Sequence, residues 1–324
     1  WRCGNRGNVA SVLIEKPAIG DFFPIVDGGY SLQYSPLLEY REGKGMILFC
    51  QMDVTGRTEG DPAATRLIRN ILAHVARFGE PVRPARSAVY AGSDSGRRHL
   101  ERTGLAPRAF AGGELTDRDV LIVGQGGGSM LAPHAARVSR WLESGGSLLA
   151  LGLDADEANS CLPRRIRTIS REHIAATFEA PGHGTVFRGL GPADVHNRDP
   201  RDLPLLSGGT SVLGNGVLGR MEDASIVFCQ MEPHRWFAAS EEAAASTDGR
   251  VDSGGREPLN LRMTYRRSAY LVTRLLANLG VRGETPLLDR FATPVEPEAV
   301  SGDADGRWAR GLYVDLPQAW DDPY

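Results

Sequence analysis

The chain has 324 residues, 41% apolar and 24% charged, with 39 glycines and 20 prolines, the composition of a folded α/β protein long enough for two domains. All but two of its 37 basic residues are arginine, but they are dispersed among 40 acids at a net charge of −3, which excludes a basic nucleic-acid-binding stripe. Four cysteines make no disulfide framework, no C-x-x-C pair marks a zinc site, and no stretch approaches the roughly 18 apolar residues of a membrane span.

Taken in order, residues 1–80 read as strands and turns followed by a helix. "VASVLIEK" (9–16) and "GMILFCQMDV" (45–54) are apolar strand-like runs between turn signals. "DPAATRLIRNILAHVARFG" (61–79) carries Leu67, Ile68, Ile71, Leu72 and Val75 at helical spacing, with Asp61 as N-cap, Pro62 in the first turn and Gly79 at the stop. "EPVRPAR" (80–86) is a proline-bearing linker. Strands follow at 87–92, near 108–113, at 119–123 and at 147–153. They alternate with helices over 95–104 and 131–146, which implies a parallel sheet covered on both faces. The unit closes with a strand at 224–231, an irregular charged stretch (238–258) and a helix over 264–281.

One phrase occurs twice. "ILFCQMDV" (47–54) returns as "IVFCQMEP" (226–233), and each copy precedes a helix with a shared motif, "TRLIRN" (65–70) and "TRLLAN" (273–278). A strand and its partner helix repeated together mark two related domains. The expected division is the tail of a first α/β domain over 1–80, a complete second over 81–282, and a linker with the start of a further module over 283–324. The ends, Trp1 and "WDDPY", read as cuts through a longer protein.

The candidate chemistry is sparse. Cys50 and Cys229 lie in apolar runs without flanking glycines, which fits packing rather than a nucleophile on a strained elbow. Gln51 and Gln230 are polar anchors at strand ends. "GQGGGSM" (124–130) breaks the G-x-G-x-x-G pattern at Ser129 and reads as a structural turn. In an open parallel sheet, though, the loops "GSDSG" (92–96) and "GQGGGS" (124–129) would meet at the carboxyl-end crevice. Asp94 or Ser95 would cap the next helix, and Asp94, Ser95, Gln125 and Ser129 are the candidate ligand-binding residues there. His196 and Arg198 in "DVHNRD" (194–199), and the polar-aromatic "EPHRWF" (232–237), are clusters able to line a sugar site, with loop packing as the equal alternative. Glu15 and Asp21 form a carboxylate pair for which a surface loop beside Lys16 is the plainer account. No two of the seven histidines share H-x-x-x-H spacing, so neither a metal nor a cofactor is expected.

"DVLIVGQGGGSML…VSRWLESGGSLLALG" and "NLRMTYRRSAYLVTRLLANLGV" together resemble the class I glutamine-amidotransferase-like, flavodoxin-like domains that accompany the catalytic barrels of bacterial beta-galactosidase-type glycoside hydrolases. The resemblance covers about 85–282, with 1–80 as a truncated second copy. It implies a flavodoxin-like parallel sheet and a link to carbohydrate metabolism. In catalytic amidotransferases a cysteine follows the strand that here reads "LLALGLDADE", where this chain has Leu153 and Asp154, and no H-x-E dyad follows.

The resulting expectation is a non-catalytic accessory or assembly region of a larger carbohydrate-active protein, a glycoside hydrolase by the resemblance, with carbohydrate and the other domains of its parent chain as partners, self-association open, and no nucleic-acid or membrane partner. Two alternatives stand beside it: a small hydrolase or transferase acting at the 92–96/124–129 crevice, and a pure interaction scaffold using the 306–324 tail.

Overall fold

The computed structural model describes Ala10 and residues 13–28, 32–79, 85–197, 200–221, 225–237 and 256–283, without the side chains of 256–260 and 262. Residues 284–324 of the expected linker and further module, and 238–255 of the charged stretch 238–258, lie outside those residues. The chain divides into two compact units between Val82 and Arg83, inside the proline-bearing linker.

In the first unit, strands β1 (Ile14–Glu15), β2 (Asp21–Gly28), β3 (Tyr34–Glu42) and β4 (Gly45–Cys50) precede helix α1 (Pro62–Ala76). β3 pairs antiparallel with each of the others. Its core is aromatic, with Phe22 stacked on Tyr40 at 4.3 Å over a buried Leu38. α1 starts as its sequence dictates: the Asp61 carboxylate accepts the Ala63 amide at 2.8 Å, and Pro62 occupies the first turn where no amide is needed. Its apolar stripe is less covered than the spacing suggests, with Ala64 buried but Leu72 and Val75 exposed. The loop reading of Glu15, Lys16 and Asp21 is corrected. All three are buried, Glu15 accepts the Gln33 amide at 2.5 Å, and Lys16 pairs with Asp27 at 3.1 Å.

The second unit is a doubly covered α/β sheet. Its elements are β5 (Ser87–Ala91), α2 (Asp94–Arg102), β6 (Arg108–Ala109), β7 (Asp119–Val123), α3 (Gly127–Leu131), α4 (Ala135–Glu143), β8 (Ser147–Leu151) and α5 (Ala155–Cys161). There follow β9 (Arg167–His173), β10 (Arg201–Gly208), β11 (Ser211–Leu213), β12 (Leu218–Met221), β13 (Ile226–Cys229) and α6 (Arg256–Asn278). Seven strands lie in the order β11-β12-β13-β8-β7-β5-β6. Those from β13 to β6 are parallel, and β11 and β12 close one edge antiparallel. β9 and β10 form a separate hairpin.

The near-continuous apolar strands follow from burial on both faces. Tyr90, Ile122, Leu149 and Val227 point to one face, where Leu100 of α2 and Leu271 and Leu275 of α6 pack. Their neighbours Val89, Leu121, Leu148 and Phe228 point to the other, against Leu131 of α3, Val138 and Trp141 of α4 and Ala158 of α5. This is the flavodoxin-like arrangement, with helices on both faces.

The repeated phrase occupies the same local geometry twice. Cys50 lies opposite Leu37 and Cys229 opposite Leu218 in antiparallel register. In each copy the following glutamine amide donates at 2.8 Å, from Gln51 to Pro36 O and from Gln230 to Val217 O. The copies then diverge: β13 also pairs parallel with β8, whereas every described strand pair of the first unit is antiparallel.

Candidate functional site

Because β5, β7, β8 and β13 are parallel, the loops after them share one edge of the second unit. The two loops singled out in the sequence do meet there, the Ser93 amide donating to Gln125 O at 3.0 Å. Their glycines serve the residue beneath them. A Cβ on Gly92 or Gly124 would come within 2.6 Å of the Tyr90 hydroxyl oxygen, and one on Gly96 would collide with it. Tyr90 is buried, which pushes its phenol up to about 12, and its hydroxyl lies against all three of these glycines.

The candidate residues separate. Asp94 is exposed in the first turn of α2 and pairs with Arg97 at 3.4 Å. The cap of α2 is neither Asp94 nor Ser95 but Ser93, whose hydroxyl accepts the Gly96 amide at 3.4 Å and lies 3.0 Å from Ser95 Oγ. Gln125 and Ser129 are exposed, Ser129 on α3. His196 is held by α6: Arg267 Nη1 donates to its carbonyl at 2.8 Å and lies 3.2 Å from its Nδ1. Arg198 lies outside the described residues.

The "EPHRWF" cluster, read in the sequence only as a candidate sugar-site lining, stands just after β13 and holds chemistry that reading did not give it. Glu232 is 2% exposed, and its carboxyl sits where a side chain on Gly152 would project. Gly152, at φ +64, makes the turn between β8 and α5, one residue before the elbow position assigned to Leu153. Burial raises the Glu232 carboxyl to about 7; nearby Glu157 adds to the shift, and Arg235, whose Nε donates at 2.7 Å, opposes it. Glu157 is itself engaged, accepting the Gly126 amide at 2.7 Å. Gln230 ties the end of β13 to this turn by donating to Leu153 O at 3.2 Å, the anchoring role expected of it. Two imidazoles are kept neutral here. Burial pulls His234 down to about 4, and pulls His99, edge-on to Tyr265 at 5.7 Å, down to about 3. The available signal was "EPH", an acid directly after a strand end and in the reverse order of the H-x-E sought.

No metal-binding group of three His, Cys, Asp or Glu residues occurs among the described residues. Compared with known proteins, the chain matches no family model and no curated sequence.

Glu232 carries a pH signature. Between pH about 4.5 and 7 the unfolded chain gives up this proton while the folded chain keeps it, so the folded state binds more protons and loses stability as pH rises, by up to about 3 kcal/mol. His99 and His234 act oppositely, losing stability as pH falls below their ordinary value of 6.5. Glu232→Gln is therefore expected to remove the decline between pH 6.5 and 7.5 in urea midpoints and to steepen the rise between pH 5 and 6.5, where the two histidines outweigh the single carboxyl. An unaltered decline refutes the assignment.

Proposed function

We propose that this chain is a non-catalytic α/β region of a larger carbohydrate-active protein, serving its assembly or shaping the substrate side of its site. One observation carries the non-catalytic part. At the β8–α5 turn the elbow position is held by Leu153, which is fully buried and carries no nucleophile, and the space beside the preceding Gly152 is filled by the Glu232 carboxyl.

The thiols support the same reading, since the thiolate is the reactive form. Burial pushes Cys229 up to about 12 and Cys161 up to about 11. Neither is ionised near neutrality. Cys229 packs in the core with its sulfur 3.6 Å from Met231 O, and Cys50 repeats that contact at 4.0 Å. Glu232, at 2% exposure behind the turn, is not presented to a substrate, and Asp94 is an exposed ion-pair partner. Neither acid is thus placed to serve the hydrolase alternative as one half of an acid-base pair.

The carbohydrate part rests on the resemblance to accessory domains of sugar-cleaving proteins, carried by the "SGGSLLALG" and "LLANLG" segments. The test uses 6-diazo-5-oxonorleucine, an electrophilic glutamine analogue that alkylates an activated cysteine. Intact mass is expected to stay unchanged after incubation with the folded chain. A single adduct mapped to Cys50, Cys161 or Cys229 overturns the non-catalytic reading.

A further inference from the structure

The opposite edge of the same sheet, where its parallel strands begin, holds a cavity of ≈ 570 Å³. That is within the range of about 300–1,000 Å³ typical of small-molecule sites. Its wall is assembled by topology. Arg86 immediately precedes β5, Arg118 precedes β7, Ser147 opens β8, and Arg220 on the antiparallel β12 sits beside the entry to β13. Strands that run in one direction necessarily bring such entry residues together, although they are far apart in the chain.

The charge of this wall is unbalanced. Among the described residues, no carboxylate forms an ion pair with Arg86, Arg118 or Arg220. Arg86 Nη1 donates to Ser147 Oγ at 2.6 Å, which leaves the serine hydroxyl proton free to donate elsewhere. Among the described residues, the sole acid of the lining is Asp117, which is exposed. The end of α6 also reaches this wall, and its carbonyl dipoles offset part of one positive charge. Its Asn278 side chain is already committed, accepting from Arg188 and Arg274 and donating to Val186 O and Arg188 O. Three guanidiniums around one hollow repel one another, and an oxyanion between them removes that cost.

We propose that this cavity binds the phosphate group of a small molecule. The planar guanidinium fork matches phosphate oxygens bidentately, and the Ser147 hydroxyl supplies a neutral donor to the same group. Asp117 then faces the remainder of the ligand as a hydrogen-bond acceptor, which suits a hydroxylated phosphate ester.

The experiment is calorimetric titration of the full chain with glucose 6-phosphate, inorganic phosphate and glucose at matched ionic strength. Both phosphates are expected to bind and glucose not to. Arg118→Gln and Arg220→Gln should each weaken phosphate-ester binding tenfold or more. Arg118 is exposed with no side-chain partner among the described residues, so its variant should keep the melting temperature of the unliganded protein, which separates lost binding from lost folding. Arg98→Gln on α2, away from the cavity, is the control for net charge. The proposal fails if glucose 6-phosphate gives no binding at millimolar concentration, or if only inorganic phosphate binds. It also fails if Arg98→Gln weakens binding as much as Arg118→Gln.

Discussion

Gly128→Ala is expected to destabilise the second unit by about 3 kcal/mol, while Gly113→Ala leaves it unchanged or slightly more stable. The added methyl at 128 would land on the backbone of Glu157, colliding with its carbonyl oxygen, and backbone cannot swing aside as a side chain can. α5 is itself pinned, with the Asp154 carboxylate accepting the Glu157 amide at 2.9 Å, so α3 would have to lift from its neighbour. Gly127→Ala should behave similarly, since its methyl would strike Ala91 O. Gly126, at φ +81 with open space around it, should cost only the left-handed penalty of about 1–2 kcal/mol. Gly113 has neither constraint. Urea unfolding followed by far-ultraviolet circular dichroism ranks the four. Equal midpoints for the 113 and 128 variants would show that α3 does not rest on α5 as described.

The second large effect is a coupling. Gly152→Ala is expected to cost about 3 kcal/mol in the wild-type chain and only about 1 kcal/mol where Glu232 is already alanine. Two penalties are combined in the single variant. One is the left-handed backbone at φ +64, which survives in any background; the other is eviction of the Glu232 carboxyl from the place the methyl would take. That carboxyl has little freedom to leave, being buried and bonded to Arg235 at 2.7 Å. A double-mutant cycle isolates the second term. If the cost of Gly152→Ala is the same in both backgrounds, Glu232 does not fill the space beside Gly152, and the packing that closes the turn before Leu153 is not as described.

How much of this was legible depended on whether a residue's reason was local. β5, β7, β8 and β13 could be read because each is an apolar run covered on both faces. The start of α1 could be read because Asp61 and Pro62 act within one turn. α3 was hidden because it begins in two glycines, poor helix formers retained here for what their missing side chains allow α5 and β5 to approach. β2 was hidden because Pro24 and two register shifts break its alternation. β9 was hidden because nearly all of its residues stay at the surface and leave no periodic signal. Of the candidate site, the meeting of the 92–96 and 124–129 loops followed from parallel topology. Glu232 did not, because its importance lies in filling a space left by Gly152, a relation between distant positions that no spacing rule encodes.

The order of strands also bears on how the chain is made. β8 lies in the middle of the finished sheet, yet its partner β13 is synthesised long after it, with the β9–β10 hairpin and the β11–β12 pair emerging in between. Until Cys229 has left the ribosome, β8 is a terminal strand whose backbone donors and acceptors and apolar side chains Leu148 and Leu149 have no neighbour on that side. Strands β5 to β8 can assemble first because they pair with near neighbours in sequence, and the intervening hairpin can close on itself. The nascent unit therefore spends the interval with a sticky edge exposed, and the arrival of a single four-residue strand converts that edge into the interior.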